Sequence, residues 1–161
     1  MRPTEPFVHS RRILWGETDA ARIAYTARFL DFAMEATERW FQDRLGLGWY
    51  EMNLDHGIGT PFVHVEMDFR SPVTPRDTLD STVLLARLGG SSLRFAVAGR
   101  VGERLVYEAV LVCAFVDPGR MRPIPAPEQF RPALEAEAAL ARDRPGGLHP
   151  GRESPARCGS G

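Results

Sequence analysis

The sequence predicts an α+β domain in which one antiparallel sheet of about five strands buries a face on one long helix. A helical stripe occupies the first third of the chain. Runs of period-two alternation follow it, joined mostly by tight turns. Strands gathered after a single helix belong to the α+β class.

Residues 7–15 read as the first strand, with Phe7, His9, Arg11, Ile13 and Trp15 on one face. Residues 16–26 form a polar loop of small residues. Residues 27–45 are the helix: Phe29, Ala33, Ala36 and Trp40 recur at helical spacing, flanked by Leu30, Met34 and Phe41. Thr26 is its candidate N-cap and Gly46 its C-terminal cap. Glu35 stands four residues before Arg39, the favourable order for a pair along a helix. A turn-rich stretch then ends at Gly57-Ile58-Gly59-Thr60-Pro61.

Next, Val63, Val65, Met67 and Phe69 point one way, and His64, Glu66, Asp68 and Arg70 the other, as in a half-buried strand. Pro72 and Pro75 break it. Residues 78–88 and 91–101 form two more strands around a Gly89-Gly90 hairpin turn. After a turn at Gly102-Glu103, residues 104–116 are apolar on both faces in their second half, which suits a central strand covered on both sides. Pro123, Pro125 and Pro127 stop regular structure, and residues 127–142, rich in Ala and Glu, form a second helix. From Arg144 the chain has no core-forming residues, so a domain over 1–143 and a disordered tail over 144–161 are expected. The sheet's second face still carries apolar residues and needs a cover, for which a partner copy is the candidate.

With 161 residues, 43% of them hydrophobic, the chain can build a real core as one domain. A net charge of −1 gives no bulk attraction to nucleic acid or anionic membranes. All 20 basic residues are arginine. That excludes a lysine Schiff base, a P-loop lysine and a lysine general base, and leaves ligand phosphates to Arg, helix N-termini and backbone N–H groups. Cys113 and Cys158 have no spacing partners for zinc or a disulfide framework, and the N-terminus leads into no signal-like apolar region. A cytoplasmic setting is expected, with no metal and no cofactor.

Strong motifs are missing. There is no Gly-x-Ser-x-Gly elbow and no His-Glu-x-x-His helix. His9, His56, His64 and His149 are scattered, and neither Gly46-Leu47-Gly48 nor Gly57-Ile58-Gly59 completes a dinucleotide fingerprint. Cys113, in an apolar strand, reads as a small core residue.

Chemistry concentrates in the loop before the long helix. Asp19 lies between a strand end and a helix start, among Gly16, Ala20, Ala21 and Ala24, which let a ligand approach closely. The first N–H groups of a helix have no internal partners and carry partial positive charge, so those of Tyr25 and Thr26 can hold an oxyanion. An acyl carbonyl polarised there, with a carboxylate on its other side, is an arrangement for acyl transfer. Alone, Asp19 reads first as a loop or capping aspartate. Glu17 is the competing carboxylate, facing solvent or supporting the loop.

The run Trp15-Gly16-Glu17-Thr18-Asp19-Ala20-Ala21-Arg22-Ile23-Ala24-Tyr25 resembles the signature of the 4-hydroxybenzoyl-CoA thioesterase family of hotdog proteins. There an Asp follows a strand-ending aromatic-Gly pair and a Tyr comes six residues later. Gly59-Thr60-Pro61, Gly90-Ser91-Ser92 and an apolar last strand ending at Val116-Asp117 extend the resemblance over about residues 7–135. It implies a hotdog fold, a sheet wrapped around the long helix. It also implies hydrolysis of an acyl-CoA thioester in which Asp19 attacks directly or activates a water.

On the same footing Tyr25, Thr26, Thr60 and His64 are assigned to the oxyanion and acyl pocket. Each has a plainer role: Tyr25 packing on the sheet, Thr60 opening a strand, His64 at an interface. CoA itself, part of the substrate, is assigned to Arg87 and Arg94 with Ser91 and Ser92 of the hairpin. Arg100, Arg120 and Arg122 are further candidates for its phosphates. Hotdog relatives place the acyl pocket at a dimer interface, and dimers often pair into tetramers, so a homo-oligomer is expected.

Many relatives carry Asp-Pro-x-Gly where this chain has Asp19-Ala20-Ala21-Arg22. An Arg resists positive φ, so a tighter loop is expected, and Arg22 is placed to keep Asp19 ionised. The Asp-Ala-Ala-Arg-Ile-Ala-Tyr-Thr form is similar to a subgroup tied to aromatic acids, which favours an aromatic acyl group over an aliphatic one. A hotdog hydratase would have His five residues after the Asp, where this chain has Ala24. A non-catalytic acyl-CoA or acyl-carrier binding module remains the rival from outside enzymology.

Overall fold

The computed structural model describes residues 3–143. The expected tail lies outside the described residues, and so do His149 and Cys158. Five antiparallel strands form one sheet: β1 (Phe7–Arg12), β2 (Phe62–Phe69), β3 (Thr78–Leu88), β4 (Ser92–Val101) and β5 (Arg104–Ala114), in the order β1-β3-β4-β5-β2. Helix α1 (Arg28–Leu45) lies on one face, across β1, β3 and β4. Its 18 residues span about 27 Å. This is the hotdog fold.

The core follows the helical stripe. Phe32, Ala33, Ala36, Trp40 and Phe41 of α1 are fully buried and meet Val83, Leu85, Phe95, Val97 and Leu111 from the inner face of the sheet. Trp40 packs edge-on against Phe95, with ring centroids 4.9 Å apart. Leu84, Ala96, Ala98 and Val110 on the opposite face are buried too, whereas Glu108, Val112 and Ala114 of β5 are half-buried there, so the expected cover on both sides of β5 is partial within one chain. Gly99 is paired with Tyr107, and a Cβ there would sit 2.1 Å from the Tyr107 ring. Only glycine lets that ring lie flat against β4 and donate or accept at Ser81 Oγ, 2.8 Å from its hydroxyl.

α1 ends as expected: Gly46 adopts φ 76° and its N–H reaches the Gln42 carbonyl at 3.1 Å. Its start differs. The N-cap is Ala27, with no side-chain cap, while the Thr26 carbonyl accepts from Phe29 N–H in a tight first turn. Glu35 does not pair with Arg39, which turns to Gln42; it crosses to His9 and Arg11 of β1. A carboxylate from the helix satisfies charges that would otherwise be stranded on the inward face of β1.

The first strand ends at Arg12 rather than at residue 15, because Trp15–Glu17 form a 3₁₀ turn closed by the Glu17 carboxylate on Leu14 N–H. A short helix, α2 (Trp49–Leu54), occupies the turn-rich stretch. Burial of Met52 and the seat of the Trp49 ring between Phe41 and Phe62 hold it in place. Beyond β5, β6 (Val116–Asp117) pairs with β7 (Arg122–Pro123). Helix α3 (Arg131–Arg142) starts later than expected, with proline in its first turn, and packs on β3.

β2 is an edge strand. A register shift between Phe62 and His64 leaves Phe62, Val65, Met67 and Phe69 on the helix side. Because α1 leans toward the other edge, Val65 and Phe69 stay 44% and 52% exposed. No helix among the described residues is long and apolar enough to cross a membrane.

Candidate active site

The loop that carries Asp19 is a small closed structure. Thr18 bridges Ala24, Asp19 N–H donates to the Ile23 carbonyl at 3.0 Å, and Arg22 N–H donates to the Asp19 carbonyl at 2.9 Å. Ala24 N–H is tied to Val73 on a neighbouring connection at 2.8 Å. Closing so few residues requires a left-handed one, and Arg22 takes φ 63°. The expectation that arginine would refuse this conformation is overturned: the surrounding hydrogen bonds impose it. Arg22 forms no ion pair with Asp19 among the described residues, so its expected role beside that carboxylate is not seen.

The Asp19 side chain is exposed. Its Oδ1 accepts from Ala21 N–H at 2.8 Å, which fixes the carboxylate as an Asx turn. Its Oδ2 has no partner among the described residues and faces outward. Of the two N–H groups assigned to an oxyanion, Tyr25 N–H is taken by the Glu17 carbonyl at 2.9 Å. That assignment is corrected. Thr26 N–H has no acceptor among the described residues and stands at the positive end of α1. The Tyr25 side chain is 55% exposed and does not pack into the sheet.

Glu17 is committed to holding the loop. One carboxylate oxygen is gripped by Arg11 and the other accepts from Leu14 N–H at 2.8 Å. Arg11 bridges Glu17 to Glu35, with an NH1–Oε2 distance of 2.8 Å, and its guanidinium lies 4.5 Å over the Phe32 ring. Sequence reasoning placed Arg11 on an inward strand face without asking what met its charge. A lone arginine in an apolar stripe was the available signal.

Thr60 lies half-buried in a cleft of 330 Å³ whose walls include Met34, Trp49, Phe62 and Met121. Gly59 and Val116 exchange both backbone hydrogen bonds and fix the approach to it. His64 is not part of this cleft. It projects from the sheet face away from α1, exposed, with Nε2 3.8 Å from Glu66. Within one chain it is not brought to the Asp19 loop.

Arg87 and Arg94 face each other across β3 and β4. Neither has a carboxylate partner among the described residues. Like charges directly opposite repel, so an anion between them is favoured. Gly89 N–H closes the adjoining hairpin on the Ser92 carbonyl, and the Ser91 carbonyl accepts from Phe115 N–H. Arg100 turns to the Glu103 carbonyl, whereas Arg120 and Arg122 flank a separate cleft at the β6–β7 turn. Cys113 is buried, and burial pushes its thiol up to about 12, which keeps it an inert core residue. No group of His, Cys, Asp and Glu that could hold a metal occurs among the described residues.

Comparison with known proteins fits this geometry. The model of the thioesterase-like superfamily matches residues 13–134. A 1,4-dihydroxy-2-naphthoyl-CoA hydrolase from Thermosynechococcus vestitus is 27% identical over 146 residues, which is 89% of this chain and 99% of that protein. A thioesterase-superfamily structure from Jannaschia sp. CCS1 superposes with a TM-score of 0.79 at 39% identity, covering 85% of this chain and 96% of its own. Slr0204, a 1,4-dihydroxy-2-naphthoyl-CoA thioesterase from Synechocystis, superposes with a TM-score of 0.74 at 20% identity, covering 81% and 96%. At that identity the likeness speaks for the fold alone. The family match runs from the end of the first strand through the Asp19 loop, α1 and every later strand, and the chain belongs to the thioesterase-like superfamily.

Proposed function

We propose that the protein hydrolyses an acyl-CoA thioester, with Asp19 as the catalytic carboxylate and Thr26 N–H in the oxyanion hole. One observation carries this reading. A hydrogen-bonded loop leaves one Asp19 carboxylate oxygen, and the Thr26 N–H just before the N-cap of α1, without partners among the described residues. The thioester oxygen accepts from Thr26 N–H as charge develops on it. Asp19 then has two routes: attack on the carbonyl carbon to give a mixed anhydride that water later cleaves, or removal of a proton from an attacking water. In both, CoA leaves as a stable thiolate, so no strong general acid is needed.

An aromatic acyl group is proposed, as in the 4-hydroxybenzoyl-CoA thioesterases that the loop resembles. The Trp49 and Phe62 walls of the Thr60 cleft support it, as does the aromatic substrate in the name of the Thermosynechococcus relative. Arg87 and Arg94, with Ser91 and Ser92, are proposed to hold CoA phosphates. The open side of β2 is proposed to pair with a second copy, and such dimers to pair again, in the cytoplasm.

The test is thiol release from aromatic, short aliphatic and long aliphatic acyl-CoAs by wild type and Asp19→Asn. Aromatic turnover that falls about 10²-fold or more in the variant supports the proposal. Turnover unaffected by the change removes Asp19 from the chemistry. Acyl-CoA binding without any turnover favours a binding module.

A further inference from the structure

We infer that Arg11 is a positioning residue for Asp19, acting through Glu17. The inference rests on the catalytic reading of Asp19 above. Glu17 is the hub of the loop. Its side chain ties it back to Arg11 of β1 and to Leu14 N–H, while its carbonyl ties it forward to Tyr25 N–H at the mouth of α1. Asp19 is two residues after this hub and Thr26 is one residue after its forward tie. Their separation is therefore set by where Glu17 sits.

Arg11 fixes that position from the core. Its side chain is 14% exposed and the Glu17 side chain 16%, so their ion pair is largely shielded from solvent. The guanidinium fork is clamped on two more sides, by the Phe32 ring beneath it and by Glu35 of α1, which also meets His9 Nε2 at 3.0 Å. Phe32 and Glu35 belong to α1, which begins two residues after Thr26. One guanidinium thus references both the carboxylate loop and the helix to β1. Without it, Glu17 is free to swing outward, its carbonyl releases Tyr25 N–H, and Asp19 shifts against the oxyanion position.

The experiment compares wild type, Arg11→Met, Arg11→Lys, Glu17→Gln and the Arg11→Met/Glu17→Gln double variant, with Asp19→Asn alongside. The methionine keeps an apolar stem on Phe32. Steady-state kinetics on the best acyl-CoA are combined with amide hydrogen exchange at Tyr25. The expected result is a fall in kcat of about 10-fold or more in Arg11→Met with KM changed less than about threefold. Arg11→Lys, which meets one carboxylate at a time, falls between. The double variant loses no more than the worse single one, because both act through one tie. Tyr25 exchanges faster in Arg11→Met, while amides of β4 and β5 keep their protection.

Unchanged exchange at Tyr25 overturns the inference, as does a kcat within about twofold of wild type or a loss that multiplies in the double variant. Turnover indifferent to Asp19→Asn is a different failure. It overturns the proposed function and with it the catalytic part of this inference, even where Tyr25 exchange responds as expected.

Discussion

Glu137 shows how one buried group couples stability to pH. It sits on α3 almost fully buried, with Trp40 Nε1–H donating at 3.2 Å and Arg44 Nε 3.0 Å away. Burial raises its carboxyl above the usual range; Arg44 and Trp40 pull it back, and nearby Asp43 adds to the rise. A group raised in the folded state favours folding while protonated. Its contribution is full below the unfolded value of about 4.3 and declines as pH rises through the folded value. Glu137→Gln removes that decline. Denaturant melts are expected to favour the variant over wild type more at pH 7 than at pH 4. A constant difference between the two pH values would refute the assignment. Nothing in the sequence marked Glu137, one of several glutamates in an Ala-rich helix, because its burial depends on where α3 docks. The Asp19 loop was legible for the opposite reason: its geometry rests on neighbours a few residues away. Arg22 was misread because the loop's closure, not the residue's own preference, decides its backbone.

At the scale of elements, period and turn chemistry located the five main strands and α1 to within a few residues. Packing that joins distant segments was less visible. α2 has only six residues and forms because Trp49 and Met52 find Phe41, Phe62 and the core. The Arg11–Glu35 bridge spans 24 positions, and the sequence offered Arg39 as a nearer partner. The pairing of Gly99 with Tyr107 was likewise hidden, since only the register puts a missing side chain under that ring. Gly99→Ala is expected to destabilise by about 1–3 kcal/mol, through overpacking against a ring that cannot retreat. Loss of the Tyr107–Ser81 hydrogen bond would accompany it. Thermal unfolding checks this, and an unchanged Tm would show that β4 and β5 separate more easily than their packing implies.

For the molecule as a whole, the sequence called for a cover over the sheet face away from the helix; the large apolar residues that the sheet leaves exposed are Val8 on β1 and Val63, Val65 and Phe69 on β2, with Val65 and Phe69 on the helix side. The proposed pairing of two copies would use this edge strand, with its exposed Val65 and Phe69. Phe69→Asp is expected to shift the protein toward monomer in analytical ultracentrifugation and to lower turnover together with assembly. A variant that sediments as wild type would place the interface elsewhere. The three tryptophans also divide the molecule among themselves. Trp15 is 77% exposed beside the Asp19 loop, Trp40 is sealed against Phe95 and Glu137, and Trp49 lines the Thr60 cleft. The protein therefore contains its own fluorophores at three stations, one wet, one dry and one at the wall of the Thr60 cleft. Single Trp→Phe replacements would separate a red-shifted signal from the loop, a blue one lost on unfolding, and a third that responds to acyl groups if the proposed pocket holds them, so that binding, loop motion and melting can be followed without a label.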